Sequence, residues 1–69
     1  MIAERLTAAR EKVGLSQSEV ARRIGATQAA ISYFEQGLKI PSVPVLLNLA
    51  RLYNVSMDYL VGNDGAQAN

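Results

Sequence analysis

The sequence predicts an all-α fold in which five short helices form one compact bundle. Three observations support this prediction. Four glycines, at positions 14, 25, 37 and 62, each follow a segment whose apolar residues recur at helical spacing. Residues that commonly cap helices precede most of these segments, and no segment shows the apolar–polar alternation of a β-strand. We therefore expect helices joined by tight turns, without a sheet.

The length and composition indicate one small domain. The chain has 69 residues, of which 49% are hydrophobic, and this is enough for a single core. We expect residues 1–62 to form the domain. Residues 63–69, NDGAQAN, are polar, and we expect them to be a disordered tail.

The charged and reactive residues argue against an enzyme. Seven basic and six acidic residues give a net charge of +1, which is weak support for a polyanionic partner. The absence of Cys and His excludes disulfides and thiolate metal sites, and it removes the commonest general base. The carboxylates form no clustered pair suited to acid–base chemistry. We expect no catalytic residue, no metal and no cofactor, and no small-molecule ligand is evident.

The distribution of apolar residues also bears on location. No apolar run approaches the roughly 18 residues that a membrane span needs. The first residues, MIAERLTAAREK, lack the apolar centre of a secretion signal. We therefore expect a cytoplasmic protein without a membrane partner.

The first helix, α1, is predicted over residues 2–13. Ile2, Leu6, Ala9 and Val13 recur at helical spacing and should share one inward face. The glycine that follows suits the left-handed position beyond a helix end.

The second helix, α2, is predicted to begin after Ser16 and to end at Gly25, after only about eight residues. Ser16 and Glu19 have the spacing of a capping box, in which side chain and backbone satisfy each other's hydrogen bonds. The residues expected to face inward are Val20, Ala21 and Ile24.

The third helix, α3, is predicted over residues 28–36, with Thr27 as its cap. At 100° per residue, three apolar side chains point inward: Ala30, Ile31 and Phe34. The opposite face carries no Lys or Arg and consists of Gln28, Ala29, Ser32, Tyr33 and Gln36.

Two further helices follow a loop. Pro41 keeps the preceding residue out of helical geometry, so α4 is predicted to start at Ser42. Its inner stripe consists of Leu46, Leu49, Ala50 and Tyr53. The last helix, α5, is short and is capped by Ser56.

The tight turn between α2 and α3 is typical of a helix-turn-helix, because two short helices so joined must cross steeply. The segments LSQSEVARRIGATQAAISYFEQG, Pro41–Ser42 and LLNLARLYNVSMDYL resemble the lambda-repressor-like family of DNA-binding domains, the phage repressor, Cro and Xre type. The resemblance covers roughly residues 6–61. It implies that α3 lies in the major groove of DNA.

The resemblance also implies which residues meet DNA. The predicted base contacts are Gln28, Ala29, Ser32 and Tyr33. The predicted phosphate contacts are Gln17, Thr27, Gln36, Lys39, Ile40 and Ser42. A neutral face can read bases, because a Gln side chain matches N6 and N7 of adenine, whereas phosphate contacts hold the protein in place.

Two structural roles follow from the same resemblance. Arg10 and Glu35 should form a partly buried ion pair that fixes α1 against α3. The α5 end should form the two-fold contact of a homodimer, although its apolar side chains could instead complete the core. The predicted dimer residues are Met57, Tyr59, Leu60 and Val61.

The resemblance therefore predicts a sequence-specific DNA-binding transcriptional regulator, a repressor that binds a palindromic operator as a dimer. The alternative is a protein-interaction module of the antitoxin or anti-repressor type on the same fold. Such a module would dock a protein partner through apolar surface. The residues available for this docking are Leu38, Ile40, Val43, Tyr59 and Val61.

Overall fold

The computed structural model describes residues 2–62, and the predicted tail lies outside this part of the chain. The elements in chain order are α1 (Ile2–Lys12), α2 (Gln17–Ile24), α3 (Gln28–Gln36), α4 (Val43–Tyr53) and α5 (Met57–Val61). No strand occurs among residues 2–62. The prediction of an all-α bundle of five helices is confirmed.

Local capping explains where most helices begin. Four hydroxyl side chains each accept a hydrogen bond from the backbone N–H three residues later, and they belong to Ser16, Thr27, Ser42 and Ser56. These contacts satisfy donors that would otherwise lack a partner in the first turn. Between α2 and α3, Gly25 has a φ of 72°, a left-handed conformation that allows α2 to end abruptly. The two helices are thereby joined by only three residues, 25–27.

The end of α1 differs from the prediction. The helix ends at Lys12, and the side chain of Val13 is 40% exposed, so its assignment to the inward face was wrong. Val13 lies beyond the last residue of the helix, just before the chain turns at Gly14, where φ is 75°. Leu15 packs against the core from the far side of the turn.

The core is apolar and receives side chains from every helix. Its buried residues are Leu6, Ala9, Val20, Ala21, Ile31, Leu46, Leu49, Ala50, Tyr53 and Leu60. The predicted inner stripe of α4 is confirmed in full. Within residues 2–62, no charged or polar residue is buried to the same degree. None of the helices there has the length and apolarity needed to cross a bilayer.

Burial of Leu60 corrects one predicted interface residue. α5 packs against α1 and α4, and the Leu60 side chain is 0% exposed in the single chain. A side chain this deep has no surface to offer a partner. Its role is to dock a helix of only five residues onto the core.

Packing of α3 determines which face it presents to solvent. α3 contacts both α1 and α2, and Ile31 is its one buried residue, at 2% exposure. Phe34 is half-buried against the same core. The opposite face of α3 is consequently left on the surface of the bundle.

Candidate nucleic-acid interface

The outward face of α3 is polar and open to solvent. Gln28, Ala29 and Gln36 are exposed, Tyr33 is 39% exposed and Ser32 is half-buried. All five lie where the sequence placed them. They carry no formal charge, so this face offers hydrogen-bond donors, acceptors and one aromatic ring.

The Gln28 side chain is held by the neighbouring helix. The hydroxyl of Ser18 in α2 donates to Oε1 of Gln28 across 3.0 Å. Both residues are exposed, so this bond lies on the surface. The sequence does not indicate this contact, because a serine in the first turn of a helix is ordinary and its partner depends on how α2 crosses α3.

Two other predicted residues contact each other within α3. Nε2 of Gln36 donates to the hydroxyl oxygen of Ser32 across 2.6 Å. The Ser32 hydroxyl hydrogen remains available to donate, since the oxygen acts as the acceptor here. Ser32 is therefore suited to meet an acceptor on a base edge.

Lys39 brings a positive charge to the margin of this face. Its ammonium lies 5.3 Å from the centre of the Tyr33 ring, within the range of a cation–π attraction. Both residues are exposed, and Lys39 belongs to the loop that follows α3. The ring thus favours a position of the cation beside the polar face.

The predicted ion pair between Arg10 and Glu35 is confirmed. Nε of Arg10 lies 2.7 Å from Oε2 of Glu35, and Nη2 lies 3.1 Å from Oε1. The side chains are 14% and 6% exposed. Hydrogen bonding to Glu35 raises the pKa of Arg10 despite the opposing effect of desolvation. Arg10 also donates to the backbone oxygen of Leu15 across 2.9 Å, which fixes the turn after α1.

Gln17 joins this ion pair from the start of α2. Its Nε2 donates to Oε1 of Glu35 across 3.1 Å. An amide nitrogen has two hydrogens, so one of them stays available for an oxygen outside the protein. The predicted phosphate contact at Gln17 therefore rests on a side chain whose position is set by Glu35.

Three more predicted phosphate contacts lie on the surface near α3 and α4. The hydroxyls of Thr27 and Ser42 accept from Ala30 and Val45 as helix caps, at 3.1 and 3.5 Å. Their hydroxyl hydrogens can still point outward. Ile40 is 78% exposed and offers its backbone rather than a polar side chain.

The α5 surface is smaller than the sequence suggested. Met57, Tyr59 and Val61 are half-buried and pack partly against the core. The guanidinium of Arg5 lies 4.5 Å from the centre of the Tyr59 ring, and its Nη1 donates to the Tyr59 backbone oxygen across 2.9 Å. A side chain of α1 thus covers one face of Tyr59, a contact between distant positions that no local pattern indicated.

A separate apolar surface lies in and just after the loop between α3 and α4. Leu38, Ile40 and Val43 are 66%, 78% and 67% exposed. These are the most exposed large hydrophobic residues in the described part of the chain. They belong to the docking surface that the alternative function requires.

Known proteins resemble this chain in both sequence and fold. A helix-turn-helix family model matches residues 6–60. The HTH-type transcriptional regulator ImmR of Bacillus subtilis is 40% identical over 63 residues, which cover 91% of this chain and 50% of ImmR. Repressor protein C2 of Salmonella phage P22 is 32% identical over 69 residues, covering 100% of this chain and 32% of C2. The chain therefore spans about half or less of these two relatives.

The fold comparison gives the same result. A crystal structure of the P22 c2 repressor in complex with a synthetic operator superposes with a TM-score of 0.86 and 31% identity. That match covers 93% of this chain and 97% of the other. The matched proteins are transcriptional regulators, which agrees with the prediction that the chain is not an enzyme. The chain belongs to the Xre-type helix-turn-helix family.

Proposed function

We propose that the chain is a sequence-specific DNA-binding transcriptional regulator, a repressor, in the cytoplasm. In this proposal, α3 enters the major groove and a homodimer binds a palindromic operator. The observation that carries the proposal is the match over 93% of the chain to a repressor solved with operator DNA. The exposed polar face of α3 supports it, because base edges in the major groove are read by such donors and acceptors.

In this proposal, different residues recognise the bases and bind the phosphates. Gln28, Ala29, Ser32 and Tyr33 read bases from α3. The start of α2 binds a phosphate, because free N–H groups and the helix dipole favour an anion there. Gln17 lies at the same position. Lys39 binds a phosphate of the DNA strand on the other side of α3, close to the polar face of that helix. Thr27, Gln36, Ile40 and Ser42 complete the proposed phosphate contacts.

The low charge makes dimerisation important. A net charge of +1 leaves few cations to neutralise phosphates, so one chain alone should bind weakly. Two chains on a palindrome place their reading helices about 34 Å apart, one turn of DNA. We propose Met57, Tyr59 and Val61 as the contact between them, without the buried Leu60.

Selection of bound sequences from a random pool of double-stranded DNA tests the proposal, at low and at moderate salt. Wild type, Gln28→Ala and Lys39→Gln are compared. We expect wild type to select a palindrome. Gln28→Ala should lose preference at one symmetric base pair, by about 1–3 kcal/mol per bidentate contact. Lys39→Gln should weaken binding to all sequences equally and lower the salt slope by about one per chain, or about two for the dimer.

The second candidate function is docking of a protein partner, and the exposure of Leu38, Ile40 and Val43 favours it. The two functions respond differently to salt. Affinity for DNA falls steeply with salt concentration because bound phosphates release counterions, whereas docking on apolar surface is nearly insensitive. If wild type selects no motif at either salt, the DNA-binding proposal fails and the search turns to protein partners.

A further inference from the structure

The contact between Ser18 and Gln28 links the two helices of the helix-turn-helix at the first residue of α3 that is proposed to contact a base. Ser18 lies in the first turn of α2, and Gln28 is the first residue of α3. The Ser18 hydroxyl donates to Oε1 of Gln28 across 3.0 Å. The Gln28 side chain is exposed and has no neighbour on its own helix that holds it in the same way.

This bond leaves the Gln28 amide able to recognise a base. A carbonyl oxygen has two lone pairs and an amide nitrogen has two hydrogens. With Ser18 using one lone pair, one acceptor site and both donors remain free. That set is what a Gln needs to pair with N6 and N7 of adenine. Contact with Ser18 is therefore compatible with reading and does not compete with it.

The bond also lowers the entropic cost of reading. A free Gln side chain loses much rotamer freedom when it is fixed, and ordering it before DNA arrives removes part of this cost from the binding step. Only the correct base benefits, because only the bidentate contact requires the amide in one fixed position.

We propose that Ser18 is a positioning residue that sets the base preference of Gln28 without itself contacting a base. The inference rests on the proposed function, since it presumes that Gln28 reads DNA. It assigns to α2 a part in sequence discrimination, in addition to holding a phosphate. The base expected at the affected position is adenine.

Selection from the random pool with the full chain tests this, using Ser18→Ala, Ser18→Thr, Gln28→Ala and the double variant Ser18→Ala/Gln28→Ala. Ser18→Ala should lower the adenine preference at one symmetric position by about threefold to tenfold, the range of a neutral hydrogen bond. Ser18→Thr, which keeps the hydroxyl, should retain the preference. In the Gln28→Ala background, the change at Ser18 should have no effect. Thermal unfolding should show that Ser18→Ala folds like wild type.

Other outcomes overturn the proposal. Equal weakening of all sequences by Ser18→Ala would mean that Ser18 contacts the DNA backbone. A preference change that persists in the Gln28→Ala background would mean that Ser18 contacts a base directly. An unchanged preference would mean that the bond has no influence on reading. In each of these cases wild type still selects a motif, whereas failure of the proposed function leaves wild type without one.

A measurement on the protein without DNA tests the positioning role of Ser18 independently of the proposed DNA-binding function. Side-chain ¹⁵N relaxation reports how ordered the Gln28 amide is on the picosecond-to-nanosecond timescale. We expect the Gln28 amide to become more mobile in Ser18→Ala, while the exposed Gln36 amide, held by Ser32, is unchanged. Equal mobility of Gln28 in wild type and Ser18→Ala would overturn the positioning role, whatever DNA selection shows.

Discussion

Arg10 and Glu35 are 25 positions apart in the chain, yet they face each other through two hydrogen bonds of 2.7 and 3.1 Å. This pair ties α1 to α3 at a site where both side chains are mostly buried. The same Glu35 carboxylate also accepts from Gln17. One acidic group therefore links α1, the start of α2 and the end of α3.

Replacing Arg10 should destabilise the fold strongly. Arg10→Met leaves the Glu35 carboxylate buried without its cation, and the loss of one partner from a buried pair costs about 3–5 kcal/mol. We expect a decrease of this size in the unfolding free energy measured by urea denaturation. Arg51→Met, the same change at an exposed position of α4, should alter it by less than about 0.5 kcal/mol. Similar losses in both variants would contradict the structural role.

Deprotonation of Tyr53 should weaken the protein at high pH. Burial raises the pKa of Tyr53 to about 12, and the negative charge of Glu35 adds to this effect. The folded state thus favours the neutral phenol. The stabilisation is fully present below the ordinary pKa of about 10 and is lost as the pH rises through the folded value of about 12.

Urea midpoints measured across this alkaline range test the Tyr53 prediction. A raised pKa of this size corresponds to about 2–3 kcal/mol of lost stability. Tyr53→Phe has no phenol to ionise at this position, so its free energy of unfolding should fall less than that of wild type between neutral pH and about pH 12. Tyr33→Phe, at an exposed position, should follow wild type. A Tyr53→Phe profile identical to wild type would contradict the assignment.

The capping box of α2 should make stability sensitive to acid. The backbone N–H of Ser16 donates to the Glu19 carboxylate across 2.9 Å, and hydrogen bonding to Ser16 lowers the pKa of Glu19. Its contribution is present above the ordinary Glu pKa and is lost as the pH falls through the lowered value. In thermal unfolding, Glu19→Gln should show a smaller loss on acidification than wild type. Glu11→Gln, at an exposed position near the end of α1, should resemble wild type.

Tyr33 should contribute to DNA affinity mainly through its ring. The ring lies below the Lys39 ammonium at 5.3 Å. Tyr33→Phe keeps this surface and should bind the selected operator nearly as well as wild type, whereas Tyr33→Ala should bind more weakly. In a Lys39→Gln background, the difference between Phe and Ala should shrink. If Tyr33→Phe loses as much affinity as Tyr33→Ala in a titration, the hydroxyl contacts DNA directly.

The sequence predicts the helices well because their ends depend on local chemistry. Ser16, Thr27, Ser42 and Ser56 act on backbone groups three residues away, so their effect is visible in a short window of sequence. The outward face of α3 follows from 100° spacing in the same way. The burial of Leu60 could not be predicted in this way, because a helix of five residues is too short to show a clear periodicity.

The interactions between helices are less accessible to sequence reasoning. The pair Arg10–Glu35 was predicted only through a family resemblance. The bonds Ser18–Gln28 and Gln17–Glu35 depend on the crossing of α2 over α3, and the cover of Tyr59 by Arg5 depends on how α5 lies against α1. Such distances are set by tertiary packing, which single-sequence periodicity does not specify.

Burial of Leu60 has a practical consequence for protein engineering. A chain shortened to end before residue 60 would lack a side chain that is 0% exposed, and the hole would open into the core. A chain ending at Gly62 would keep it, since α5 is complete at Val61. Tolerance of truncation should therefore change sharply within three residues, and reporter fusions or affinity tags belong after position 62.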